Sequence, residues 1–336
     1  MSTLRLGLDF GGTKIAVGVV ALAGRERQPV PGQPGCEVLS RRQLRTIEAG
    51  AGVRLLEQAA ALVEEACAEV GLRPGDAEGV GLALPGPVDP RVQRLLAAPS
   101  LPGLVDLPLL PFFARRWNRA SPGWIRADND ANAAALGEAQ HGAGQGARVV
   151  CYLTVSTGIG GGVVVDGQLY RGATGQAAEF GHLKLRQEGP PCSCGDRGCL
   201  EALASGTAIG RRAREAAVAG GGALRALSEA DPSALTAERV AMAVRAGDPL
   251  AQRVWGEAMA DLGTGVAAVV NVFNPDAVVL GGGVSRSADL LLPAVRRVVA
   301  ERAMPMLARA ARIEVAALGE DVGIVGAAAL LDEPAN

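Results

Sequence analysis

Leu8-Asp-Phe-Gly-Gly-Thr-Lys-Ile-Ala-Val-Gly-Val-Val20, residues 8–20, and Leu153-Thr-Val-Ser-Thr-Gly-Ile-Gly-Gly-Gly-Val-Val-Val165, residues 153–165, are built alike. Each is an apolar strand, a glycine-rich turn carrying a hydroxyl residue, and a Val-rich return strand. In the first, Leu4, Leu6, Leu8 and Phe10 alternate with Arg5, Gly7 and Asp9, the period of a strand. Residues 15–20 return from Gly11-Gly12, so the pair reads as a hairpin with an acidic residue near its bend. The second copy predicts a strand over 149–155, a turn over 156–161, a return strand over 162–165, and a further turn at Asp166-Gly167. Two such units suggest an internal duplication with one copy per domain.

Around these hairpins, helices and strands mix. Apolar spacing predicts an amphipathic helix over 51–70, and a short strand over 79–84 runs into Pro85-Gly86-Pro87. Residues 101–111, with three prolines, read as a connecting loop. Asp128-Asn129-Asp130 opens an Ala-rich helix over 131–140. Residues 205–263 are mainly helical, with breaks at 220–222 and 231–232. A buried-type strand at 277–280 is followed by Gly281-Gly282-Gly283, then a helix over 290–302, a strand over 312–316 and a final apolar helix over 323–331. The class is α/β.

The composition narrows the function. The 336 residues contain 46 glycines without a G-X-Y period, so glycine marks turns and close approaches. A net charge of −2 argues against a protein that neutralises nucleic-acid phosphates. No apolar run reads as a membrane span, no secretory signal is recognised, and six cysteines are too few for a disulfide scaffold. These features suit a cytoplasmic enzyme with neither nucleic-acid nor membrane partner. Cys36, Cys67 and Cys151 are expected to be buried small hydrophobes. Lysine occurs only as Lys14 and Lys184, which makes a lysine beside a glycine turn conspicuous.

The glycine turns suggest phosphate clamps. Without a Cβ, backbone N–H groups can approach an anion and form a nest. Three turns qualify: 9–14, 156–162 and 281–285. Thr13 and Thr157 add hydroxyl donors, Lys14 adds charge, and Asp9 suits a Mg²⁺ held through water. Any one of these alone would read as an ordinary tight turn. Two G-x-G-x-x-A stretches, 142–147 and 263–268, lack the strand–turn–helix context of a dinucleotide site. Asn129-Asp130 alone would read as a helix N-cap. Asp130 is equally suited to take a proton from a hydroxyl, since its place before a helix favours the ionised carboxylate. Asp128 reads as a strand-end or capping residue. Cys192-x-Cys194-x4-Cys199 supplies three thiolates on a short loop, and His182 upstream can complete a closed tetrahedral set. His141, the other histidine, follows the Ala-rich helix and is expected to be exposed or C-capping.

These motifs together resemble the ROK family of repressors and sugar kinases, and within it the bacterial glucokinases. The matching residues are Asp9-Phe-Gly-Gly-Thr-Lys14, Asn129-Asp-Ala-Asn132 with Gly137-Glu138, Ser156-Thr-Gly-Ile-Gly-Gly-Gly162, Glu179-Phe-Gly-His182, Cys192 to Glu201, and Leu280-Gly-Gly-Gly-Val-Ser285. The resemblance implies a two-lobed actin-like (ribonuclease H-like) fold enclosing a cleft, with the last helix returning to the first lobe. On that basis residues 1–126 plus 319–336 form a small α/β domain, and 127–318 a large one bearing the zinc loop.

It further implies ATP with Mg²⁺ and a structural Zn²⁺. Asp130 becomes the base, and Asn129, Asp130, Glu179, His182, Glu201 and Gly86 sugar ligands. Asp9, Gly11, Gly12, Thr13, Lys14, Thr157, Gly158, Gly282 and Gly283 become nucleotide ligands, and His182, Cys192, Cys194 and Cys199 zinc ligands. The expected reaction is phosphorylation of a hexose, glucose first, by a homodimer or homotetramer. After Ala97-Ala98-Pro99, Ser100 and Leu104 stand where the family's glucokinases carry Asn and an aromatic. N-acetylglucosamine, N-acetylmannosamine, fructose or allose therefore stand as alternative substrates. A ROK regulator needs an N-terminal winged helix-turn-helix, and the first strand, beginning at about residue 4, leaves no room for one.

Overall fold

The computed structural model describes residues 3–22, 35–89, 91–98, 100–105, 107–119, 121, 123–219, 225, 231 and 234–334. Pro99 and the helix breaks expected at 220–222 and at Pro232 lie outside the described residues. The chain divides into two compact units, Met1–Val150 with Gly162–Ala178 and Ala316–Asn336, and Cys151–Gly161 with Glu179–Val315.

In the first unit, β1 (Thr3–Phe10) and β2 (Lys14–Leu22) form the expected hairpin, in register from Thr3↔Leu22 to Phe10↔Ile15. With β3 (Cys36–Arg45), β4 (Val80–Leu84) and β7 (Ile125–Asn129) they make a sheet of order β3-β2-β1-β4-β7, in which β4 runs parallel to β1 and β7 parallel to β4. A two-residue ladder, β5 (Val88–Asp89) with β6 (Arg94–Leu95), follows β4 in the chain. One face of the sheet offers Leu6, Leu8, Phe10, Ile15, Val17 and Val19, which form a core with Leu55, Leu56, Ala59 and Val63 of helix α1 (Val53–Glu69).

The other face takes the C-terminal helix, Val322–Ala329, whose Ile324, Val325 and Ala328 pack on Ala16, Val20 and Leu22. Here the polar half of the first strand's alternation is covered too. Gly7 and Gly81 lie directly under the carbonyls of Ile324 and Ala327, where any Cβ would collide with the helix backbone. Arg5 is buried beside them and pairs with Glu78 at 2.7 Å and Asp332 at 2.8 Å.

The first unit thus takes both the C-terminal segment and residues 127–150. The cause is helix α3 (Asp130–His141), whose buried Glu138 carboxylate accepts the amides of Ala143 at 2.7 Å, Ala317 at 3.0 Å and Leu318 at 2.9 Å.

In the second sheet, β8 (Val149–Val155), β9 (Ile159–Val165), β10 (Gln168–Leu169), β11 (Ala277–Gly281) and β12 (Arg312–Val315) lie in the order β10-β9-β8-β11-β12. Counted within each sheet, the order is the same in both: third, second, first, fourth, fifth. This is what a duplicated unit requires. Among the described residues the second unit's α-helices are α4 (Leu200–Ala204), α5 (Gly206–Ala219), α6 (Ala237–Arg245), α7 (Pro249–Phe273), α8 (Ala288–Arg302) and α9 (Pro305–Ala310). No described helix is long and apolar enough to cross a membrane.

Several local expectations are corrected. The stretch 101–111 is not all loop, since a 3-10 turn occupies Pro102–Leu104 and helix α2 (Leu109–Arg116) starts at Leu109. Pro111 falls in that helix's first turn, where its missing N–H has no helical partner to lose. The return strand begins at Ile159, three residues early, so the turn spans only 156–158. β3 was not anticipated from the sequence. His141 is buried in the last turn of α3 rather than exposed. Cys67 and Cys151 are buried as expected, but Cys36 is half-buried.

Candidate active site

In the first unit the site is built where β7 passes into α3. Asn129 is the N-cap, its side-chain oxygen accepting the amides of Ala131 at 3.0 Å and Asn132 at 3.4 Å. Its Nδ2 donates to the Gly86 carbonyl at 3.1 Å, which brings together two residues predicted to bind substrate. A carboxamide nitrogen carries two hydrogens, so Asn129 can cap the helix and still donate to a ligand. Asp130, half-buried, occupies the first helical position, and its Oδ1 accepts the Ala131 amide at 2.8 Å. The helix dipole there favours the ionised form.

The first glycine turn lies within reach of this carboxylate's field. Asp9 is the next-to-last residue of β1, and its acid is pushed up to about 7, first by burial and then by the charge of Asp130, while Lys14 and Arg41 pull it down. The register Asp9↔Ala83↔Asp128 puts both carboxylates at one end of the sheet, the end that carries Lys14 and the Gly12 and Thr13 exposed at the hairpin tip. The Gly11 amide closes the hairpin on the Lys14 carbonyl at 2.9 Å. Thr46 braces the same turn, its hydroxyl donating to the Gly11 carbonyl at 2.7 Å.

In the second unit, His182, Cys192, Cys194 and Cys199 come together with their ligand atoms all within 4.8 Å of one another. His182 Nδ1 lies 3.5 Å from Cys192 Sγ, and Cys194 Sγ lies 3.8 Å from Cys199 Sγ. Tetrahedral zinc, with Zn–S near ~2.3 Å and Zn–N near ~2.1 Å, spaces its ligands by about 3.6–3.8 Å. The donor set and its spacing therefore fit that metal. Bridges between Lys184 and Cys199 and between Pro191 and Arg197 fold the loop into a knuckle, and Lys184 pairs with Asp196 at its rim.

Glu201, in the first turn of α4, accepts the Ile159 amide at 2.9 Å through one oxygen and the Ser193 hydroxyl at 2.8 Å through the other. It ties the metal loop to the second glycine turn. Glu179 is exposed just before the single 3-10 turn Phe180–His182.

Thr157 and Gly283 line one cavity of about 530 Å³, together with Gly206, Thr207, Leu235 and Trp255. Gly282 stands beside it at φ +83°, where a Cβ would press on the Val155 backbone. Only glycine suits that position. Sequence reasoning missed Gly206, Thr207 and Trp255. Ser205-Gly206-Thr207 did carry a signal, another glycine flanked by hydroxyls, and its Gly206 amide bonds the Ser156 carbonyl at 2.7 Å.

Two like-ordered sheets, each opening on a hairpin with a glycine turn, define the actin-like ATPase fold shared with the solved neighbours. Within that class the chain belongs to the ROK family, whose model matches residues 5–333. It is 34% identical to a glucokinase of Thermotoga maritima over 331 residues, covering 98% of this chain and 97% of that one. A xylose repressor of Caldicellulosiruptor bescii is 32% identical over 270 residues, 80% of this chain and 66% of the repressor. Among solved structures, a ROK hexokinase from Thermus thermophilus is 37% identical with a TM-score of 0.75, covering 98% of this chain and 97% of the other. A ROK glucokinase from Streptomyces griseus, in complex with glucose and AMPPNP, is 34% identical with a TM-score of 0.77, covering 97% and 98%.

Proposed function

We propose that this protein is an ATP-dependent hexose kinase acting first on glucose, with Asp130 as general base. The observation that carries the reading is the register that sets Asp9 beside Ala83 and Ala83 beside Asp128, so that β7 leads into Asp130 at the same sheet end as Asp9, Lys14 and the exposed glycine turn. A proton acceptor beside a phosphate clamp is what transfer to a hydroxyl needs. Asn129 donates to a sugar hydroxyl, and Glu179, His182 and Glu201 hold others. Asp130 accepts the proton of the attacking hydroxyl as the oxygen bonds to the terminal phosphorus and the bond to the leaving diphosphate breaks. Thr13, Lys14 and the amide of Gly12 hold phosphate oxygens. The 530 Å³ cavity, lined by hydroxyls and glycines as well as by Leu235 and Trp255, suits a nucleoside and so favours ATP over polyphosphate.

Asp9, a half-buried carboxylate facing the charge of a second one, fits a Mg²⁺ site. That ion, when bound, offsets charge on the transferring phosphoryl group. His182, Cys192, Cys194 and Cys199 hold a structural Zn²⁺, which fixes the imidazole through Nδ1 and leaves Nε2 to the sugar. A coupled ADP-release assay across glucose, N-acetylglucosamine, N-acetylmannosamine, fructose and allose tests the reading. Glucose is expected to give the highest kcat/KM, and no ADP release with any hexose overturns the kinase. Similarity to the xylose repressor supports the competing reading of a sugar-responsive regulator, which predicts sugar binding without turnover.

A further inference from the structure

Asp128 stands one residue before the Asn129-Asp130 pair and is buried. Its Oδ1 accepts the Asn129 amide at 2.7 Å and the Asn132 side-chain amide at 2.8 Å. Its Oδ2 accepts Arg171 Nε at 2.7 Å. Arg171 in turn donates through Nη1 to Glu333 Oε2 at 2.7 Å, and Glu333 also accepts the Leu169 amide at 3.3 Å. Four stretches of the first unit converge here: the end of β7, the first turn of α3, the residues after β10, and the residues after the C-terminal helix. The side chains of Asp128, Arg171 and Glu333 are 7%, 18% and 5% exposed.

Two carboxylates buried against one guanidinium are a poor source of stability, since desolvation offsets most of the attraction and an apolar cluster would pack as well. What such a set does supply is direction, because carboxylates and guanidinium are planar and their hydrogen bonds fix angle as well as distance. Asp128 grips the backbone just before Asp130 and the side chain two residues after it. Both of its oxygens already accept donors, so it is unsuited to take a proton from substrate.

We propose that Asp128, Arg171 and Glu333 are positioning residues for phosphoryl transfer, holding Asn129 and Asp130 at the angle from which the Asp130 carboxylate meets the sugar hydroxyl. The inference rests on Asp130 being the base. Misplacing a reacting group by ~1 Å can lower a rate by about 10²-fold. Arg171→Ala is therefore expected to lower kcat by roughly 10–100-fold. Its KM for glucose and ATP, and its calorimetric Kd for glucose, should stay within a few-fold of wild type. Arg171→Lys should restore part of kcat, and Asp128→Asn should lower it as Arg171→Ala does.

Wild-type kcat in both Arg171→Ala and Asp128→Asn overturns the proposal, as does a rise in KM with kcat unchanged. If Arg171→Ala does not fold, Asp128→Asn and Arg171→Lys carry the same test. Asp130→Asn is assayed alongside. If it turns over normally, the base assignment fails; if it is inactive while the Arg171 and Asp128 variants are normal, only the positioning role fails.

Discussion

Asp130 is asked to do one thing, accept a proton while phosphorus is transferred. Its replacement should therefore separate chemistry from binding. Asp130→Asn keeps the shape and removes the proton acceptor, so kcat should fall by about 10²–10⁴-fold. Calorimetry should show glucose binding within a few-fold of wild type, and a kcat near wild type would remove the assigned base. The four zinc ligands make a second prediction at this scale. Cys194 is the exposed member, and serine lacks the thiolate that zinc prefers. Cys194→Ser should lose stoichiometric zinc by elemental analysis and raise the glucose KM through a loosened His182. A zinc-free variant with unaltered KM would separate the metal from the sugar site.

Both sets of residues were legible because each is local. Asn129-Asp130 is a dipeptide at a helix start, and the three cysteines lie on one loop. Arg171 and Glu333 were not legible, being 43 and 162 residues from their partners in the network. Nor was the use of the Gly11 amide, which depends on which hydrogen bond closes the hairpin.

Among elements, α3 carries the base at one end and a buried histidine at the other. His141 is held below its usual value, first by burial and then by the nearby Arg5 charge, against the opposing pull of Asp332 and a ring hydrogen bond to the Gly35 backbone. Its Nε2 is buried without a hydrogen-bond partner among the described residues. The unfolded chain takes up this proton near pH ~6.5, the folded chain only at lower pH. Between the two values the unfolded state binds more protons, so the stability present above pH ~6.5 is lost as pH falls. The slope is at most roughly 1.4 kcal/mol per pH unit for one proton. Melting at pH 7.5 and at pH 5.5 should therefore show a smaller acid-induced fall in Tm for His141→Asn than for wild type. Asp9, whose acid is raised to about 7, acts in the opposite sense, but both proteins retain it. Equal falls in the two proteins would remove His141 as the cause.

Elements were predicted well where burial is one-sided or complete, as in β1, α1 and β11. β3 escaped because it is an edge strand, with Arg41, Arg42 and Arg45 among its ten residues and only Ser40 buried. Charged edges protect a sheet from further pairing and erase the apolar alternation that a reader relies on.

At the scale of the whole molecule, the duplicated order of strands explains the sheets, but not how the chain's last residues come to stabilise its first. In the first unit, the face of β1 and β4 opposite α1 presents Gly7 and Gly81, which offer no side chain to pack. It becomes a core only when the C-terminal helix lays its backbone on them. The same segment satisfies Glu138 through the amides of Ala317 and Leu318, Arg5 through Asp332, and Arg171 through Glu333. A chain ending at residue 315 would leave Glu138 and Arg5 buried with part of their partners gone, at about 1–3 kcal/mol for each unsatisfied group. It would also expose the apolar face formed by Ala16, Val20 and Leu22. The second unit keeps all of its own residues in that truncation. Hydrogen exchange followed by mass spectrometry should then show β1, β4 and α3 peptides losing protection, while β11 and α7 peptides keep it and zinc remains bound. Uniform loss across both units, or full protection of β1, would contradict a division of labour in which the final helix is the missing half of the first unit's core.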